Sequence, residues 1–266
     1  MPTDQFLDLI PLWAFFALTA LLILGAIEFG LFLGLRRRAQ REHEKEGPVG
    51  TVVGATLGLL AFMLAFTFGI TASRFDTRKE LLLDEVNALG TAWLRAGLLV
   101  EPHRAASENH LREYIDIRAS FSPLSVDSER FVAALRRCEE IQGSLWEVAR
   151  ALAAANRSSE IDALFIASLN DVIDLHTKRV IVGMQYRIPS VLWVVLMFVS
   201  VLAMATVGYQ FGLAGKRSLA ANLALALTFS AVTLLICDLD RPGRGMMRVN
   251  QQPMIDLQRQ INSQAP

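Results

Sequence analysis

The chain has 266 residues, 53% of them hydrophobic and 20% charged, and its mean hydropathy of +0.37 is higher than a soluble chain of this length would carry. Lys plus Arg and Asp plus Glu both number 26, so no charge excess points to nucleic acid or to a strongly acidic partner. Two cysteines, Cys138 and Cys237, are too few for a disulfide framework.

The expected fold class is all-α: a polytopic membrane protein with four transmembrane helices and a helical-bundle domain inserted between the second and third. Four stretches are apolar over the roughly 20 residues that a helix needs to cross a bilayer. They cover residues 9–35, 49–73, 189–213 and 219–237. Between and after them lie a basic loop at 36–48, a hydrophilic segment at 74–188, a tight turn holding Gly215, Lys216 and Arg217, and a tail at 238–266. The N-terminus carries Asp4 and Asp8 in place of the basic region of a cleavable signal peptide, so the first span is expected to stay.

Orientation follows from Lys and Arg in the short loops. The first loop holds Arg36, Arg37, Arg38, Arg41 and Lys45, and the third holds Lys216 and Arg217. Both are expected on the cytoplasmic side, which sends the termini and the large domain to the periplasm.

The first span contains a carboxylate, Glu28. An acid inside a span is costly and suggests an ion or proton role by default; the alternative is that it lies near the interface and pairs with Arg36 or Arg37. In the second span Gly50, Gly54 and Gly58 repeat at intervals of four, the spacing that lets helix backbones approach closely in lipid. The partner helix is left open between this chain and another copy. Phe62, Phe66 and Ile70 share one stripe of the same span; in a ring of subunits such a stripe forms a hydrophobic constriction, and otherwise it faces lipid or core. Where the span leaves the membrane, Arg74, Asp76, Arg78, Lys79, Glu80, Asp84 and Glu85 crowd together. Arg78 and Glu85 stand two turns apart on one side.

The second helix is expected to run on through Leu82, Val86, Leu89 and Trp93 until Glu101-Pro102 ends it. Further helices are expected over about 104–120 and 127–156, separated by the break at Ser122-Pro123-Leu124-Ser125, and another begins at Ser158-Ser159, with Asp162 completing a capping box. This last helix is drawn running directly into the third span at Pro189. The fourth span closes on Asp238, Asp240 and Arg241, which can satisfy one another; a cation site there would lack ligands. After Pro253, the residues Met254, Leu257 and Ile261 lie on one face of a short helix that rests on the membrane or on the domain.

No metal, cofactor or catalytic residue is expected. His43, His103, His110 and His176 lack metal-ligand spacing, and no nucleophile elbow, phosphate loop or paired-cysteine motif occurs. The expected partners are the lipid bilayer, further copies of the chain and inorganic ions.

Taken in order, several motifs resemble the bestrophin-like family of bacterial membrane proteins. They are Glu28-x-Gly30 and Gly34-x-Arg36, Leu60 to Phe66, Arg74-Phe75-Asp76-x-Arg78, Asp84-Glu85-x-Asn87-Ala88-x-Gly90-Thr91-Ala92, and Asp238-x-Asp240-Arg241-Pro242-x-x-Gly245. The resemblance implies a remote kinship with bestrophin anion channels, which are pentamers with a hydrophobic neck on the second span. The stripe at Phe62, Phe66 and Ile70 is its nearest analogue. Bestrophins hold their large domain in the cytosol, whereas the loop charges here place it outside. Two functions follow: an oligomeric channel, or a membrane-anchored periplasmic bundle that binds a partner or serves as an envelope scaffold.

Overall fold

The computed structural model describes residues 10–40, 46–121, 129–184, 186–215, 217–241 and 245–263. Expectations at Asp4, Asp8, Arg41, His43, Lys45, Ser122 to Asp127, Lys216 and Pro242 fall outside them. Every regular element among the described residues is an α-helix: α1 (Leu12–Ala39), α2 (Glu46–Ala96), α3 (His103–Ala119), α4 (Glu129–Ala155), α5 (Glu160–Met184), α6 (Ser190–Ala214), α7 (Leu219–Asp240) and α8 (Gln252–Ser263). Four of these, α1, α2, α6 and α7, are long and apolar enough to cross a membrane.

The chain divides into two compact units. One comprises Met1–Ser73 with Arg187–Arg241, the other Arg74–Tyr186 with Pro242–Pro266. In the first unit α1 packs chiefly on α6 and then on α7. Glycines permit the α1–α6 approach: a Cβ added at Gly30 would overlap the carbonyl of Ala205, and one at Gly208 would overlap that of Ile27. Gly34 and Gly212 meet in the same seam. In lipid, with no hydrophobic drive between helices, this close van der Waals contact is what holds spans together. Gly208→Ala is therefore expected to force α1 and α6 apart and to lower the melting temperature of the detergent-solubilised chain. The same substitution at Gly25, where an added Cβ meets nothing within 4 Å, is expected to leave melting unchanged. Equal melting curves for the two variants would contradict this packing.

The second unit is a bundle of the C-terminal part of α2 with α3, α4, α5 and α8. Its core takes Leu82, Leu89 and Ala92 from α2, Leu111 and Ile115 from α3, Ile141 and Leu145 from α4, Phe165 and Leu169 from α5, and Met254 and Ile261 from α8. The C-terminal helix thus rests on the domain, held also by Gln258 Nε2 donating to Asp116 Oδ1 at 2.8 Å.

Two expected boundaries move. Helix α2 stops at Ala96, before the Glu101-Pro102 break, where the helix-weakening Gly97 follows and the amides of Leu98 and Leu99 take i−3 carbonyls in a tightened last turn. Helix α5 ends at Met184 and does not continue into α6, which starts after Pro189. Proline has no N–H to carry a helical ladder, and the preceding Ile188 amide donates instead to Asp240 Oδ1 at 3.0 Å. The serine half of the expected capping box forms, Ser159 Oγ accepting from the Asp162 amide at 3.2 Å, while the Ser159 amide donates to the Asn156 carbonyl.

Candidate functional site

Within the first unit α2 is the least covered of the four long apolar helices. Its apolar window is 11% buried, against 39% for α1, 39% for α6 and 33% for α7. Val53, Leu60 and Thr71 are buried, and Thr56 Oγ1 lies 3.3 Å from Thr206 Oγ1 of α6. At 100° per residue these buried positions lie roughly 120–180° from Phe62. The opposite face is bare: Phe62 and Phe66 are 67% and 57% exposed, and their rings stack with centroids 6.3 Å apart. Ile70, drawn on the same stripe, is half-buried, because each step of four residues turns it a further roughly 40° toward the covered side. Gly50 lies near Gln210 of α6, while a Cβ at Gly54 or Gly58 would meet no atom within 4 Å. The close intrachain seam therefore runs through Gly30, Gly34, Gly208 and Gly212. The spacing of four in both pairs is the signal that could have found it.

Glu28 receives Arg217 Nη2 at 3.1 Å and Asn222 Nδ2 at 3.4 Å. The sequence reading offered Arg36 or Arg37; the partners come from the far loop and the first turn of α7, because α1 and α7 pack side by side. At the other end of α7, Asp238, Asp240 and Arg241 are buried. Two of them also reach other elements: Asp240 holds the Ile188 amide, Arg187 Nη1 donates to the Asp240 carbonyl at 2.9 Å, and Arg241 Nη1 donates to the Ile10 carbonyl at 2.8 Å. This motif fastens the start of α1 and the start of α6 to the end of α7.

Among the charges where α2 leaves its apolar run, Asp76 pairs with Lys79 at 3.0 Å. Arg74 and Arg78 are half-buried. Glu85, read from sequence as part of that membrane-exit cluster, is fully buried in the core of the second unit. Its carboxylate accepts from Arg118 Nη2 of α3 at 2.8–2.9 Å, from Arg179 of α5, and from the Tyr114 hydroxyl at 3.2 Å. Tyr114 Oη also lies 2.9 Å from His176 Nδ1 and 3.5 Å from Gln142 Nε2. A tyrosine has one proton and a carboxylate only accepts, so with that proton directed to Glu85, His176 must present Nδ1–H to the tyrosine oxygen.

These residues stand at core positions of their own helices: Glu85 between Leu82 and Leu89, Arg118 after Leu111 and Ile115, Gln142 beside Ile141 and Leu145, His176 after Leu169 and Val172. The i, i+3, i+7 spacing is the signal that could have found them. Burial alone would raise the Glu85 carboxyl, but Arg118 and Arg179 outweigh it and hold the carboxyl below its usual range. Burial, reinforced by Arg118, pushes His176 down to about 4, so it is neutral near pH 7. A slip of one helix by a turn would leave a buried charge unpaired, so the layer fixes the register of the bundle.

The bestrophin-like domain model matches residues 12–254. The chain belongs to the bestrophin-like family. Among solved structures, a single-substitution variant of a bacterial bestrophin homolog from Klebsiella pneumoniae is similar at 14% identity and TM-score 0.65, over 94% of this chain and 97% of that one. A variant described as a membrane protein is similar at 14% identity and TM-score 0.63, over 93% and 97%. At these identities the likeness shows the shared fold. No curated protein matches the chain. This bestrophin-like protein is thus a helical membrane protein whose fold is shared by bacterial bestrophin homologs.

Proposed function

We propose that the chain is one subunit of a homo-oligomeric ion channel in the bacterial inner membrane, without catalytic activity. In this reading the four long apolar helices cross the bilayer and the bare face of α2 lines a central axis. The observation that carries it is that face: an apolar helix with stacked, exposed Phe62 and Phe66 and with open positions at Gly54 and Gly58 is left uncovered by the described residues of its own chain. A ring of such stripes makes a hydrophobic constriction that gates by dewetting.

Past Ser73, Asp76, Glu80 and Asp84 recur every four residues on one face of α2, whereas Arg74 and Arg78 fall on another. In a ring of subunits the field of such acids draws cations. Glu28, bound to Arg217 and Asn222, serves as a helix tie. The short loops carry Arg36 to Arg38 and Arg217, a bias that supports a cytoplasmic side for them and a periplasmic side for both termini and the large domain.

Purified full-length protein in liposomes is expected to pass small inorganic cations, and silence toward both cations and anions overturns the channel. Orientation has its own test. Cys138 and Cys237 are buried and Ser158 is exposed, so Ser158→Cys is expected to react with an impermeant maleimide in spheroplasts. Protection there, with labelling after lysis, inverts the orientation.

A further inference from the structure

In the second unit, the first turns of α2 beyond Ser73 and the segment from Arg248 into α8 enclose a half-open cavity of about 440 Å³. Its walls are apolar, from Phe75, Leu82, Leu83, Val249 and Pro253, with Lys79 and Arg248 also lining it. Lys79 stands over the Phe75 ring, 5.7 Å from its centroid, and pairs with Asp76 at a contact more than half exposed on both sides, a pair of little net worth that another anion can replace. Asp256, the acid of the lining, already receives Gln252 Nε2 at 2.8 Å and lies 3.6 Å from Arg259. The charge left to a ligand is therefore positive, above a floor made of hydrocarbon.

The place along α2 matters as much as the lining. Phe75 and Lys79 follow the apolar run by two and six residues, which is about 3 and 9 Å at 1.5 Å per residue. This is the depth of lipid headgroups beside a span, where basic side chains meet anionic phosphates.

We propose that this cavity binds one anionic phospholipid of the surrounding membrane, its phosphate on Lys79 and Arg248 and the start of one acyl chain along Phe75, the lining residue nearest the apolar run. The proposal rests on α2 crossing the bilayer and is independent of ion conduction. Full-length protein in mild detergent, titrated with dioctanoyl phosphatidylglycerol and weighed by native mass spectrometry, is expected to take up one saturable lipid per chain. Arg248→Ala is expected to weaken uptake roughly fivefold, the worth of one basic residue at an anionic surface. Leu83→Trp, which places an indole in the cavity from a half-exposed position, is expected to abolish it, and phosphatidylcholine of equal chain length is expected to bind more weakly. Uptake unchanged in both variants, equal binding of phosphatidylcholine, or displacement by inorganic phosphate as effective as by lipid overturns the proposal. So does absence of lipid uptake with a change in oligomer mass for Leu83→Trp, which makes the cavity a contact between copies. None of these outcomes alters the flux measurement, so the two readings fail separately.

Discussion

Glu85→Ala is expected to lower the melting temperature of the full-length protein by about 10 °C or more, since stranding a buried charge costs about 3–5 kcal/mol and each kcal/mol moves a domain of this size by about 2–4 °C. The loss is not that of one hydrogen bond. Without Glu85, Arg118 at 3% exposure and Arg179 at 14% are left as two cations facing the same emptied position. Replacing Glu85, Arg118 and Arg179 together by leucine is expected to recover part of the loss, because exchanging a buried ion triad for apolar side chains is often neutral or stabilising. The half-buried Trp93, packed against this core, gives a fluorescence signal for the transition. A melting temperature unchanged in Glu85→Ala would mean that the layer contributes nothing to the bundle.

The same layer sets an acid limit. His176 is neutral in the fold, with its value lowered from 6.5 to about 4, so between those values the unfolded chain binds a proton that the folded chain refuses. Stability therefore falls as pH drops through that window, by on the order of a few kcal/mol. Glu85 acts in the same direction lower down: its folded value lies below 4.5, so the stability it contributes is present above 4.5 and is lost as pH falls through the folded value. His176→Gln is expected to flatten the slope between about pH 6.5 and 4 and to leave the steeper loss below it.

The second large effect is expected at the exposed stripe of α2. Phe66→Ala in every subunit is expected to raise ion flux through reconstituted protein at least about tenfold, the equivalent of removing about 1.4 kcal/mol from the barrier. Dewetting depends on how narrow and apolar the constriction is, and the alanine removes the ring that stacks on Phe62. Phe198→Ala supplies the control: it is 61% exposed on α6, equally aromatic, and is expected to leave flux unchanged if that face meets lipid. In a salt gradient, the acids at Asp76, Glu80 and Asp84 are expected to move the reversal potential toward that of the cation. Equal increases for Phe66→Ala and Phe198→Ala would show general leakiness and count against a constriction on α2.

What the sequence revealed and what it concealed follow from physical causes. Long apolar runs declare themselves, because a helix in hydrocarbon must be apolar over its whole length; hence α1, α6 and α7 lie close to their expected spans. The all-helical class was legible for the related reason that apolar residues in the hydrophilic segment recur at helical intervals. The burial of Glu85 went unseen because its neighbours Asp84 and Glu80 are charged, and counting charges along the chain hides the fact that Glu85 shares a face with Leu82, Leu89 and Ala92. Its partners Arg118 and Arg179 are 33 and 94 residues away, and no local pattern joins residues so distant. The glycine repeat at Gly50, Gly54 and Gly58 drew the eye, whereas the pairs Gly30 with Gly34 and Gly208 with Gly212 form the seam within the chain. Spacing says that a helix can be approached closely and leaves open which helix approaches it. The resemblance to the bestrophin-like family was legible in the motifs, and one of them, Asp238-x-Asp240-Arg241, proves to be a fastening between helix ends.

The central claim is that the bare face of α2 belongs to a closed ring of identical subunits. Native mass spectrometry of the full-length protein released from mild detergent tests it most directly. The account predicts one discrete mass equal to a small whole number of chains, four or more, that persists across protein concentration. A stable monomer would contradict it, since four spans of a single chain leave no axis for Phe62 and Phe66 to line.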